Sequence, residues 1–265
     1  MLLAAAQTTS SSDISANGEV IRRMLMDAAG QGASLICFGE GALSGYPKRY
    51  FDNPDIWADF DWAQQEAELR NIAQTCQDLQ VYAALGYARA QEPALPPRNS
   101  LIVFGPDGKR ISHYDKRVLS YGESQGWYQA GQEPIVFDMN GVRVGCAICL
   151  EIQFPEIFSE YARLGTDLII HASSELSPFF EIALQAQAGF YCQWVMSAVC
   201  ADQSQDIPAG IVGPDGRWLA RGSSDGKDGF ALCHLDKSAP EFEIALSKAR
   251  PWREKVRAQT LKKVW

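Results

Sequence analysis

The sequence is poor in the group that most often moves protons in hydrolytic enzymes: it has three histidines in 265 residues. Excess positive charge is missing too, with 24 Lys+Arg against 32 Asp+Glu and a formal net charge of −8. Phosphate backbones and anionic membrane surfaces are recognised by cationic stripes, and none runs through this chain, so neither nucleic acid nor membrane is an expected partner. No apolar run approaches the roughly 18 residues that span a bilayer. The N-terminal "MLLAAAQTTSSSD" lacks a basic flank and reads as a first strand rather than a signal peptide.

Cysteine is present but not in a pairing pattern. The seven thiols are Cys37, Cys76, Cys146, Cys149, Cys192, Cys200 and Cys233, an odd number scattered through apolar runs, as expected of reduced core thiols in a cytoplasmic protein. Cys146 and Cys149 come nearest to a motif, but no second Cys or His pair accompanies them and no metal site is expected. They stand three apart at the end of an apolar strand, and side chains at odd separation on a strand face opposite ways. That opposes a shared zinc or a disulfide and leaves Cys146 as core.

What is present is 46% hydrophobic and 21% charged residues, ordinary for a globular protein. Strand-like runs alternate with helix-period segments. "LLAAAQ" predicts a strand over 2–7, and Asn17 is placed to cap a helix reaching Gly30. "SLICFGE" is a short buried strand ending on Glu40; a helix over 56–79 and a strand over 81–88 follow. Two hairpins turn at Pro106-Asp107-Gly108 and at Asn140-Gly141. Helices are expected over 155–164 and from Glu181 to about Trp194. "DLIIHAS", "VMSAVCA", "AGIVGPDGRWLARG" and "GFALCHLD" read as strands, and the segment from Pro240 to the terminal "KKVW" as a charged tail suited to an oligomer contact. With no linker or repeat in the chain, a single α/β domain over 1–265 is expected.

Three strand ends carry chemistry-bearing groups: Glu40 before "GALSGYP", Lys116 in "HYDKRVL" and Cys149 in "CLEIQFPE". In open α/β sheets reactive groups gather beyond the carboxyl ends of strands. Pro155 and Glu156 suit the start of a helix just after Cys149, and a thiol facing such an N-terminus is expected to have a lowered pKa. His113, His171 and His234 lie inside strand-like runs, where structural roles dominate, so a carboxylate is the better candidate for activating the thiol.

These three motifs, in this order, resemble those of the nitrilase superfamily of carbon-nitrogen hydrolases. "RNSLIVFGPDGKRISHYDK" and "AGIVGPDGRWLAR" are similar to its hairpins, so the resemblance covers nearly the whole chain. It implies a four-layer αββα sandwich, commonly as a homodimer or larger homo-oligomer; no metal and no cofactor is expected. It further implies a Glu40–Lys116–Cys149 triad that cleaves a small amide through a thioester, and Glu123 in "YGESQGWY" as a second active-site glutamate. Leu150, Tyr46, Trp127, His171 and Phe179 are the expected pocket residues. The chain departs from the family pattern at Ser120, at Glu151 where many amidases have aspartate, and at Pro208-Ala209-Gly210. The competing expectations are a nitrilase acting on a small nitrile, an N-carbamoyl amide hydrolase, and a binding protein without catalysis; an intact triad argues against the last.

Overall fold

The computed structural model describes residues 1–92 and 95–260; the terminal "KKVW" lies outside them. In chain order the strands are β1 (Leu2–Thr8), β2 (Leu35–Cys37), β3 (Tyr82–Arg89), β4 (Arg98–Phe104), β5 (Arg110–Asp115) and β6 (Val136–Met139). There follow β7 (Val142–Ile148), β8 (Leu168–Ala172), β9 (Trp194–Cys200), β10 (Gly210–Val212), β11 (Trp218–Arg221) and β12 (Gly229–His234). The helices are α1 (Ile14–Gly30), α2 (Ile56–Asp59), α3 (Trp62–Leu79), α4 (Pro155–Arg163), α5 (Pro178–Tyr191) and α6 (Arg250–Thr260).

One sheet holds β1 to β5 and β12, the other β6 to β11. They are joined at one corner, where β1 pairs with β9 through Gln7–Val199 and Thr8–Cys200. Alternation along the strands sorts the layers. Ala4, Ala6, Ile36, Phe38 and Leu85 pack outward with Ile21 and Leu25 of α1 and Leu69 and Ile72 of α3. Their neighbours Leu3, Ala5, Leu35, Cys37 and Ala84 belong to a second cluster with Val144, Cys146 and Ile170 of the other sheet, which α4 and α5 cover through Phe158, Tyr161, Leu184 and Ala188. The result is helix, sheet, sheet, helix, the four-layer αββα arrangement that the resemblance implies. Each fully buried aliphatic side chain contributes about 1.5–3 kcal/mol, so the paired clusters supply the main drive for folding.

Local differences from the expected elements have physical causes. Asp13, not Asn17, caps α1, accepting from the Ala16 N–H. Asn17 is buried one turn inside, where its amide binds the carbonyls of Ser11 and Leu43 and fixes the approach to Glu40. The expected 56–79 helix is broken at Phe60-Asp61, because Asp61 caps α3 by accepting from Gln64 N–H. Ser177 starts α5 earlier than expected, and Cys192, at φ 52°, ends it, so that Trp194 opens β9. The Asn140-Gly141 turn has positive φ at both residues, 48° and 81°, as a two-residue hairpin demands. Residues 240–260 are not an extended tail: they form helical turns and α6, and Arg250 ties α6 to Asp167 at 2.9 Å and to the Thr166 carbonyl at 3.0 Å.

Candidate active site

The three strand-end residues converge although 109 positions separate the first from the last in sequence. Glu40 lies three residues past β2, Lys116 directly follows β5, and Cys149 directly follows β7. The Glu40 turn is wedged between sheets, and glycine makes the approach feasible. A Cβ on Gly86 of β3 would stand 2.4 Å from the Gly39 carbonyl oxygen and from the Gly41 nitrogen, and 2.8 Å from the Glu40 Cα. Only hydrogen fits there.

At the centre, Lys116 Nζ donates to Glu40 Oε1 at 2.7 Å and to Glu123 Oε1 at 2.9 Å. Asn99 on β4 donates to the same two oxygens, at 2.7 and 3.0 Å. The second oxygen of Glu40 accepts from the Ser174 N–H at 3.1 Å, and that of Glu123 from the Ser120 N–H at 2.7 Å. All three charged side chains are buried. Burial disfavours the Lys116 ammonium, but Glu40, Cys149 and Glu123 outweigh it and hold its pKa well above the ordinary value. For Glu123 burial pushes upward, and the ammonium together with its hydrogen bonds carries the net shift downward.

Cys149 takes φ 54°, a left-handed conformation costly for a residue with a Cβ. Two contacts hold it. Glu151, fully buried, accepts from Ile148 N–H at 2.7 Å, Arg117 N–H at 2.7 Å, Val118 N–H at 3.0 Å and the Tyr114 hydroxyl at 2.9 Å, tying the cysteine turn to the lysine strand end. On the other side His171 Nε2 lies 2.9 Å from the Cys149 carbonyl oxygen, and its Nδ1 lies 2.9 Å from Ser197 Oγ.

The electrostatics of the thiol differ from the sequence expectation. Burial pushes Cys149 up to about 12; the Glu40 charge adds to this, while Lys116 and a hydrogen bond from Ser173 oppose it. The start of α4 six residues on does not offset these, so the thiol form of Cys149 is favoured at neutral pH. Cys146 is fully buried between the sheets, its thiol also pushed up by burial.

A cavity of about 390 Å³ opens onto this centre, lined by Tyr46, Lys48, Lys116, Glu123, Cys149 and Phe180 among others. Leu150 lines it as well. Trp127 is buried and does not line the cavity; its backbone carbonyl accepts from Trp57 Nε1. Phe179 is 59% exposed on the outward side of α5, and the next residue, Phe180, takes the cavity position. His171 is fully buried behind Cys149 rather than in the cavity. Sequence reasoning missed Asn99, Ser174 and Phe180; a polar residue opening the apolar strand "NSLIVF" was the available signal for Asn99. A second hollow, of about 420 Å³, lies beside Trp62, Arg89, Arg110 and His113; its arginines are paired with Asp115 and Glu66, and neither cysteine nor lysine lines it. Among the described residues no group of three or more His, Cys, Asp or Glu is placed to hold a metal ion, and no helix is long and apolar enough to cross a membrane.

Comparison with known proteins gives a consistent picture. Residues 2–241 match the carbon-nitrogen hydrolase family model. The hydrolase Rv0480c of Mycobacterium tuberculosis is 31% identical over 181 residues, 66% of this chain and 61% of that protein. Omega-amidase NIT2 of Homo sapiens is 29% identical over 156 residues, 56% and 54% of the two chains. The chain thus spans about three-fifths or less of the length of these relatives. Among solved structures, a cysteine-to-alanine mutant of the amidase from Nesterenkonia sp. AN1 in complex with butyramide superposes with a TM-score of 0.82 at 20% identity, covering 100% of this chain and 97% of that one. With the matched model spanning both sheets and all three strand ends, the chain belongs to the carbon-nitrogen hydrolase family.

Proposed function

We propose that the protein hydrolyses the carbon-nitrogen bond of a small non-peptide amide, with Cys149 as nucleophile, Glu40 as general base and acid, and Lys116 as oxyanion stabiliser. The observation that carries this reading is the single ammonium bridging two buried carboxylates beside a cavity-lining thiol. Because the thiol is held protonated, attack and deprotonation are coupled. As the sulfur–carbon bond forms, Glu40 takes the thiol proton, and the carbonyl oxygen gains negative charge next to Lys116 and the Leu150 N–H. Glu40 then passes the proton to nitrogen, the carbon–nitrogen bond breaks, and ammonia or an amine leaves a thioester on Cys149. Glu40 next removes a proton from water, whose oxygen displaces the sulfur and releases the carboxylic acid, and Glu40 returns that proton to the departing sulfur, restoring the thiol and the carboxylate. Glu123 holds Lys116 in position through the bond it shares with Glu40's partner atom.

The test is ammonia release from panels of small amides, nitriles and carbamoyl compounds, coupled to mass spectrometry of the enzyme during turnover. An acyl adduct on Cys149, turnover lost in Cys149→Ala and retained in Cys146→Ala are the expected results. Equal loss in the two folded variants, or an adduct elsewhere, overturns the assignment. The working compartment proposed is the cytoplasm, supported by seven free thiols. A second copy of the chain is the proposed partner for the exposed Phe179, Ile182 and Phe190 of α5 and Trp252 of α6. Light scattering of the native protein and of Ile182→Lys tests it: a native monomer rejects it.

A further inference from the structure

The buried pair His171–Ser197 has no place in the proton path above, yet it touches the backbone of the nucleophile. His171 and Ser197 are direct cross-strand partners on the parallel strands β8 and β9, and both are fully buried. The Cys149 carbonyl oxygen is only an acceptor, so the nitrogen 2.9 Å from it, Nε2, must carry a proton. Burial pushes His171 down to about 4, with the Lys116 charge adding and the Cys149 carbonyl opposing, so the ring is neutral and has one proton to give. Nδ1 is therefore the acceptor and receives the Ser197 hydroxyl at 2.9 Å. The serine selects the tautomer that the carbonyl needs.

A trans peptide is planar, and its C=O and N–H point opposite ways; no peptide in the described chain is cis. Holding the Cys149 carbonyl toward the buried ring turns the N–H of Leu150 away from it, to the side where Cys149 and Leu150 line the cavity. We infer that Ser197 and His171 are positioning residues that set the Cys149–Leu150 peptide plane and so aim the Leu150 N–H at the oxyanion of the acyl-transfer step. This rests on the amide-hydrolysis reading, since only acyl transfer develops that charge. It also accounts for the left-handed backbone of Cys149, which the ring contact and Glu151 clamp from two sides.

Two measurements test it. In nitrogen-15 spectra of histidine-labelled protein, His171 is expected as the Nε2–H tautomer from pH 5 to pH 9; the Nδ1–H tautomer overturns the proposal whatever the enzyme's substrate. In kinetics, His171→Leu is expected to lower kcat for the best amide by about 10²-fold with KM changed little, while alkylation of Cys149 by iodoacetamide, a displacement with no oxyanion, stays within about threefold. His171→Gln, which keeps a donor at the Nε2 position, restores most of the loss. Alkylation falling in step with hydrolysis reduces His171 to a structural prop, and unchanged hydrolysis in His171→Leu refutes its role. A wild-type enzyme that alkylates at Cys149 but cleaves no amide defeats the amide reading alone and leaves the tautomer result to decide the geometry.

Discussion

Glu123 and Glu151 are two carboxylates buried to the same degree, yet their environments drive them in opposite directions. Glu123 faces an ammonium, and its pKa is carried below the ordinary value. Glu151 is bonded by three backbone N–H groups and a phenol but by no ammonium; burial outweighs the backbone N–H groups and the charge of Lys116, which does not bond it, and its pKa rises. Burial alone therefore does not determine a carboxylate's charge; the kind of donor does. A full positive charge repays the loss of water, whereas neutral dipoles repay it in part. In the proposed reaction the ammonium-bridged side holds the reacting groups, and the backbone-bridged side holds the scaffold that delivers the thiol.

The contrast can be broken by mutation. The largest effect is expected on the ammonium side: Glu40→Gln should reduce kcat by about 10²–10⁴-fold while the folded protein keeps its thermal midpoint. Its thiol should also ionise at lower pH, because the Glu40 charge is one of the causes holding Cys149 up; thiolate ultraviolet absorbance against pH reads this directly. Next comes Glu151→Ala on the scaffold side, which strands one buried N–H group, that of Ile148, and two part-buried ones, those of Arg117 and Val118, each costing up to about 1–3 kcal/mol when left unpaired. Equilibrium denaturation should show a loss of several kcal/mol, and activity should fall because the Cys149 turn loosens. An activity loss in Glu151→Ala without a stability loss contradicts the division. Glu123→Gln is expected to be milder, about tenfold in kcat, since the amide still accepts from Lys116.

The smallest effect is a pair of opposite slopes in stability against pH. A carboxyl whose folded pKa is depressed stabilises the fold above its unfolded value and loses that contribution as pH falls through the folded pKa. A carboxyl whose folded pKa is raised contributes below its unfolded value and loses this as pH rises through the folded pKa. The advantage of the native protein over Glu123→Gln should thus grow from acid toward neutral pH, and that over Glu151→Gln should shrink. Parallel slopes in denaturation series would remove the basis of the comparison.

Much of the site was legible because strand ends are legible. A carboxylate, a lysine and a cysteine each closing a β-prone run announce themselves through alternation and turn chemistry, and Asn140-Gly141 fixed the register of β7 that delivers Cys149. Contacts between layers were not legible. Nothing in linear spacing tells that Asn99 reaches both carboxylates, that Phe180 rather than Phe179 enters the cavity, or that His171 turns its ring to a backbone carbonyl. Those depend on the phase set by Ser177 at the start of α5 and on cross-strand pairing between β8 and β9. The direction of the Cys149 pKa shift is out of reach of the sequence for a related reason: spacing shows the helix that follows, but neither the burial of the thiol nor the carboxylate brought in from the opposite sheet.

The corner at which the two sheets meet gives the site an unusual dependence. Glu40, Asn99 and Lys116 hang from one sheet and Cys149 and Ser174 from the other, while β1 and β9 share only two residue pairs. In the proposed reaction, bond-making therefore requires the halves to be seated against each other to within a hydrogen-bond length, across an interface built mostly of side chains and crossed at the site by the Glu40 N–H bond to the Ser173 carbonyl at 3.2 Å. Turnover becomes a gauge of interlayer alignment: any solvent, temperature or core substitution that lets the halves slide should silence the enzyme while its helices and strands are still fully formed.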